Sequence, residues 1–155
     1  PEPEARPEPE PRPEPEPRPE PTPKPFFSLS FAPRTTTVGD VVSIVADIAP
    51  GCEPLFLDMT EAGNVQIVPN DVFETEPRPD GGLHYRVDTS TPMGLRITEA
   101  DDKGVHYVGY ICTDDGSQPD NALLREILGG LSEGVLRRTD PDARAVFWFE
   151  RYVIR

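Results

Sequence analysis

Residues 41–48, VVSIVADI, give the clearest sign of the fold class, because apolar side chains return at every second position. In an extended chain, alternate residues point to the same side. The side expected to be buried carries Val42, Ile44, Ala46 and Ile48. A period of two predicts a β-strand with one face against a core, and Pro50-Gly51 ends it.

Similar short apolar segments occur on both sides of this strand. The segments that predict strands are 26–31, 55–59, 65–68, 83–87, 95–98, 105–112 and 145–154. Residues 61–64, Glu-Ala-Gly-Asn, predict the turn of a hairpin between two of them. Residues 35–40 read as a turn, and residues 71–82 read as a polar loop.

One segment has the spacing of a helix. Asp120 or Asn121 is expected to cap it, and the apolar positions that follow are Leu123, Leu124, Ile127, Leu128 and Leu131. About eight short strands with a single helix predict a mainly β protein. We therefore expect an Ig-like antiparallel β-sandwich with one α-helix near the C-terminus.

The first 25 residues have a different composition from the rest. They hold twelve of the 21 prolines, mostly at alternate positions, with seven Glu, three Arg and one Lys. Proline fixes φ and also restricts the residue before it, so polyproline II is the expected form. The sequence therefore predicts two parts: a spacer over residues 1–25 and a β-sandwich domain over residues 26–155.

The charges of the spacer recur with a period of six. Since polyproline II has three residues per turn, Arg6, Arg12, Arg18 and Lys24 share one edge of the predicted rod. One interpretation is a stiff, solvated spacer. The other is a ligand for a partner protein, in which Arg6, Arg12 and Arg18 form a candidate partner surface. The tract is similar in composition to the Pro-rich periplasmic spacers of TonB-type proteins.

The net charge of −13 and the hydropathy restrict the partners. An acidic chain without a basic cluster is not expected to bind nucleic acid. No stretch approaches about 18 apolar residues, so no direct membrane span is expected. No signal peptide is recognised either.

Cys52 and Cys112 are the only cysteines, and each lies near the end of a predicted strand. The alternatives are a disulfide between them or two buried free thiols. A disulfide predicts an oxidising compartment, hence a periplasmic or extracellular location. Cys52 is not expected to act as a nucleophile, because Glu53 beside it would raise the pKa of the thiol.

No pattern in the sequence indicates catalysis, a metal or a cofactor. His84 and His106 lack the spacing of a zinc site, so structural roles are expected. No serine lies in a nucleophile elbow. The acidic turns at 99–102 and 114–117 are expected to be solvated, with calcium binding as the alternative. We therefore predict no enzymatic activity, no catalytic residues and no cofactors.

The last strand carries four aromatic side chains. Alternation places Phe147 and Phe149 on one face, expected in the core, and Trp148 on the other. Trp148 is either a partly exposed core residue or a candidate partner surface, because tryptophan often anchors interfaces.

Several turns and strands together resemble a known family. The segments are Thr37–Ile44, Leu55–Met59, Gly63–Val65 and Ile67–Asn70, and Pro92–Gly94 follows. They resemble a bacterial β-sandwich domain of unknown function, commonly C-terminal to caspase-like proteases, serine proteases or protein kinases. The sequence predicts a non-catalytic interaction module that binds a protein partner in a larger assembly. The resemblance implies the alternative: an accessory C-terminal domain of a caspase-like protease or protein kinase.

Overall fold

The computed structural model describes residues 3, 7–14, 26–113, 116–140 and 143–155. Residues 7–14 are exposed and belong to no helix or strand. The polyproline II form of the whole tract stays a prediction, because residues 15–25 lie outside the described part. The acidic pair at positions 114 and 115 also lies outside the described residues, so the expectation for that turn stays a prediction.

The described residues form eleven strands, one α-helix and a single 3-10 turn over Asn70–Val72. The first six strands are β1 Ser28–Ala32, β2 Thr35–Thr36, β3 Val41–Ile48, β4 Leu55–Thr60, β5 Val65–Val68 and β6 Glu74–Pro77. The later elements are β7 Leu83–Val87, β8 Leu95–Arg96, β9 Gly104–Thr113, helix α1 Asn121–Ser132, β10 Arg137–Arg138 and β11 Ala145–Ile154.

The strands form two sheets with the connections of an Ig-like sandwich. The first sheet has the order β1-β3-β7-β6, with β8 paired to β3. The second has the order β10-β11-β9-β4-β5, with β2 paired in parallel to β11. The other pairings are antiparallel. This is the order of immunoglobulin domains, so the predicted fold class is confirmed.

The core between the sheets follows from the alternation that the sequence displays. In β3, Val42, Ile44, Ala46 and Ile48 are all buried, as predicted. Ala46 lies opposite Leu29 of β1 and Tyr85 of β7, so a small residue meets two large ones. Phe56 and Tyr110, from the second sheet, are fully buried against this face. Alternation therefore sets which side of each strand enters the sandwich.

Helix α1 adds a third layer on the outer face of the second sheet. Asp120 caps it by accepting a hydrogen bond from the Leu123 amide at 2.8 Å. Leu123, Ile127 and Leu131 are buried in a second apolar cluster. Phe147 and Phe149 lie in that cluster, whereas Trp148 packs against the core between the sheets. The predicted alternation of β11 is confirmed.

Three short strands were not predicted from the sequence. The segment read as a polar loop contains β6, the segment read as a turn contains β2, and β10 lies outside every predicted strand. All three lie at sheet margins, where a neighbouring strand supplies the pairing and no apolar period is needed. Within the supposed polar loop, Phe73 is buried and stacks against Phe56 at 4.3 Å between ring centroids.

Candidate functional site

A crevice lies between the two sheets, beside β5 of one sheet and β8 of the other. Its volume is about 150 Å³, the size of one ring or branched side chain. Its apolar wall is formed by Phe31, Val42, Ile44, Val68, Leu95, Ile97 and Val108. Its polar groups belong to Asp58, Gln66, Arg96, Asp101 and Tyr152. An apolar recess with few polar groups is the usual form of a binding site.

One wall of this crevice is a buried polar cluster that combines three strands. Alternation turns Asp58 of β4, His106 of β9 and Tyr152 of β11 toward the space between the sheets. Nδ1 of His106 lies 2.8 Å from Oδ1 of Asp58, and the Tyr152 hydroxyl donates to Oδ2 of the same carboxylate. The histidine ring stacks near the tyrosine ring, with 5.0 Å between centroids.

The protonation of His106 follows from its two neighbours. Nε2 lies 2.5 Å from the carbonyl oxygen of Asp102, so both ring nitrogens face acceptors. A neutral imidazole carries only one N–H, whereas the imidazolium carries two. Burial lowers the pKa of His106, but the hydrogen bonds to Asp58 and Asp102 and the charges of Asp58 and Asp101 outweigh it. The net pKa is raised above 6.5, and the group forms an ion pair with Asp58.

The same cluster fixes the state of the tyrosine. Burial, and then the negative charge of Asp58, raise the pKa of Tyr152 far above its ordinary value. The hydroxyl therefore keeps its proton and donates a hydrogen bond to the carboxylate. With the histidine also facing the same carboxylate, Asp58 links side chains from three strands of the second sheet.

An acidic hollow adjoins the crevice on the side of the β4–β5 turn. Its volume is about 90 Å³, and its lining includes Asp58, Asn64, Gln66, Asp101 and Asp102. Asp101 accepts from the Thr98 amide at 2.7 Å, and Asp102 accepts from the Asn64 side chain at 2.9 Å. Within the described residues, neither of these two carboxylates has a cationic partner within 4.0 Å.

The second histidine belongs to another polar group, on the outer face of the first sheet. His84 Nδ1 and Ser28 Oγ both lie 2.8 Å from the carboxylate of Asp47. Arg78 lies beside this carboxylate at 3.6 Å and stacks on the Phe26 ring. Burial raises the pKa of Asp47, whereas the hydrogen bonds from His84 and Ser28 and the charges of His84 and Arg78 lower it. The lowering effects are larger together, so the net pKa of Asp47 is lowered.

This second group contains a serine, a histidine and an aspartate, but not in the order that nucleophilic catalysis requires. A catalytic histidine must lie between the hydroxyl and the carboxylate. Here the carboxylate of Asp47 lies between Ser28 and His84, which occupy the strands on either side of it. Both histidines therefore have structural partners, as the sequence predicted.

The structure also places the predicted cysteine and partner residues. Cys52 and Cys112 are joined in a disulfide with 5.6 Å between Cα atoms, so the bonded alternative is confirmed.

Trp148 is half-buried, beneath the guanidinium of Arg137 at 4.8 Å. Arg12 is exposed, whereas Arg6 and Arg18 lie outside the described residues. Their role toward a partner stays a prediction.

Two residues of the crevice were missed from the sequence. Asp58 lies in the apolar strand LFLDMT, two residues after the buried Phe56 and therefore on the same face of the strand. A carboxylate at an inward position is unusual unless it is paired, so this placement was the signal that a buried partner existed. Tyr152 gave no such signal, because it reads as one more aromatic residue of β11.

Within the described ranges, no group of three or more His, Cys, Asp or Glu side chains is placed to hold a metal ion. The helix that the structure describes is too short and too polar to cross a membrane. Comparison with known protein families, curated proteins and solved structures finds no match to this chain.

Proposed function

We propose that this chain is a non-catalytic protein-binding module, presented on a stiff spacer as part of a larger assembly outside the cytoplasm. The observation that carries the proposal is the crevice between β5 and β8, an apolar recess at the margin of an Ig-like sandwich. A crevice of about 150 Å³ suits one inserted side chain of a partner protein.

The state of the polar groups supports binding rather than catalysis. Both ring nitrogens of His106 face acceptors and the Tyr152 hydroxyl donates to Asp58, so these groups are bonded to one another or to the backbone. The carboxylate of Asp58 accepts from both of them. These groups hold a rigid wall beside the crevice, which a recognition surface needs.

The disulfide supports the proposed location. Structural disulfides persist in secreted and periplasmic proteins, and thiols in the cytosol are kept reduced. In protein isolated from its native host, mass spectrometry should find Cys52 and Cys112 in one cross-linked peptide pair. Free thiols on both cysteines in that material would count against a periplasmic or extracellular location.

Affinity capture tests the binding function. The full oxidised chain, immobilised through its C-terminus, is exposed to an envelope extract of the host and compared with an Ig-like domain of unrelated sequence. We expect a defined protein to be retained only by this chain. Changing Arg6, Arg12 and Arg18 together to Glu should not affect retention if the tract is a spacer. Failure to retain any protein above the unrelated domain would overturn the proposed function.

A further inference from the structure

We propose that β5 is the docking edge of this module, and that it takes an extended, basic and apolar segment of a partner protein as an added strand. This inference rests on the proposed function and names the surface and the chemistry of the partner. The added strand would place one apolar side chain in the crevice and one Lys or Arg in the acidic hollow.

The backbone of β5 has hydrogen-bonding groups to offer. β5 is the last strand of its sheet and pairs only with β4 among the described strands. The Thr60 amide donates to the Asn64 carbonyl at 2.9 Å, and the Asn64 amide donates to the Thr60 hydroxyl, so the hydrogen-bonded position of the ladder falls at these two residues. Bonded and non-bonded pairs alternate, so Val65 and Ile67 direct their N–H and C=O groups away from β4.

The side chains of β5 lack the features that usually protect an edge. Two other edge strands are charged: β6 carries Glu74, Glu76 and a proline, and β10 consists of two arginines. In β5, by contrast, Ile67 is 59% exposed and Val65 is 43% exposed, and the strand has no charge. An uncharged apolar edge is a ready template for another strand.

The hollows next to β5 specify what that strand carries. Gln66 borders both the crevice and the acidic hollow, so the two adjoin each other along β5; Ile67 also lines the crevice, and Val65 also lines the hollow. Side chains two positions apart in an extended segment share a face and are separated by about 7 Å. A partner strand can therefore fill both hollows with alternate residues, while those between them cover Val65 and Ile67.

The charges favour a basic partner over a second copy of this chain. Asp101 and Asp102 accept hydrogen bonds from neutral donors and form no ion pair among the described residues, so a cation from the partner meets two carboxylates beside the pair of His106 and Asp58. A second β5 would bring no cation, because its residues are Val-Gln-Ile-Val. It would also bring a body whose 130 residues carry the larger part of the net charge of −13.

The experiment selects linear seven-residue peptides from a phage-displayed library against the full oxidised chain. We expect selected peptides to alternate apolar residues and to place Lys or Arg two positions from an apolar residue. On the ¹⁵N-labelled chain, a selected synthetic peptide should shift the amide resonances of Val65, Ile67 and Asp102. Resonance changes confined to the surroundings of Trp148 would overturn the proposal.

Two substitutions at one position separate the backbone from the side chain. Ile67→Pro removes an outward N–H without removing a bond to β4, and Ile67→Lys places a charge on the edge. Each should weaken peptide binding by at least about tenfold. Met93→Lys, at a residue 55% exposed in a loop, is the matched control and should not change affinity. The Lys variant keeps the test valid if the proline variant does not fold.

Charge is tested by the double substitution Asp101→Asn and Asp102→Asn. It should remove the preference for Lys or Arg and leave the preference for apolar residues. Unchanged affinity in both Ile67 variants would overturn the docking edge, as would a dimer in sedimentation experiments that Ile67→Pro converts to monomer. If a captured host protein is retained equally by the Ile67→Lys chain, the docking edge is wrong while the proposed binding function stands.

Discussion

Nδ1 of His106 lies 2.8 Å from Oδ1 of Asp58, and the two side chains form an ion pair between the sheets of the sandwich. The histidine is only 4% exposed, and its second nitrogen also faces an acceptor. Breaking a buried pair of this kind is costly, since the remaining charge has no partner. Because the pair requires a protonated imidazole, it links the stability of the fold to pH.

We predict that this linkage weakens the fold as pH rises. The folded pKa of His106 is raised above its unfolded value of 6.5. The folded state therefore binds the proton more tightly, so the stabilisation is complete below about pH 6.5 and is lost as pH rises through the folded pKa. Urea unfolding across this range, with an NMR titration of the ring protons, measures both quantities. A folded pKa for His106 below 6.5 would contradict the ion pair.

Substitution of the carboxylate should lower the pKa of His106. In Asp58→Asn the hydrogen bond to a charged carboxylate and its negative charge are gone while burial remains, so the pKa of His106 should fall below that of the unsubstituted protein. We expect a loss of about 3 kcal/mol in the free energy of unfolding at pH 6. NMR titration and urea unfolding of the variant provide the measurements.

Tyr152→Phe is the matched control for that substitution. It removes one hydrogen bond to Asp58 and leaves the charge of the carboxylate in place. The cost should be about 1–2 kcal/mol, and the pKa of His106 should remain above its ordinary value. If both variants lower the pKa of His106 equally, the charge of Asp58 is not what holds the proton.

The alternation of side chains was enough to predict most of the sandwich. β3, the β4–β5 hairpin and β11 were found because their periods of two are read within each strand. The cap and buried face of α1 were likewise predicted from neighbouring residues in the sequence. The edge strands β2, β6 and β10 could not be predicted in this way, because their pairing depends on a strand distant in sequence.

The candidate site could not be predicted from local sequence patterns, for the same reason. Asp58 and Tyr152 are 94 residues apart and meet only when β4, β9 and β11 have their register. The two cysteines were predictable because they are the only pair in the chain. The resemblance to accessory domains of proteases and kinases stays a prediction, since its turn motifs are also those of any sandwich.

Two glycines provide a test of packing with opposite expected results. A Cβ built on Gly109 of β9 would lie 1.9 Å from the Trp148 carbonyl oxygen, so Gly109→Ala should cost about 3 kcal/mol. On the exposed face of α1, a Cβ at Gly129 meets nothing within 4 Å. Gly129→Ala should stabilise the protein by about 0.5–1 kcal/mol. Chemical denaturation of both variants is the measurement. A change of the same sign in the free energy of unfolding of both variants would contradict the close approach of β9 and β11.

The disulfide should contribute a large part of the stability. Cys52 and Cys112 are 60 residues apart in sequence, and closing a loop of that length restricts the unfolded chain by about 4 kcal/mol. We therefore expect reduction to lower Tm by on the order of 10 °C. The double variant Cys52→Ala and Cys112→Ala should melt near the reduced protein and should not respond to reductant. An unchanged Tm on reduction, with both thiols shown to be free, would mean that sheet packing alone holds the end of β9 against the loop before β4.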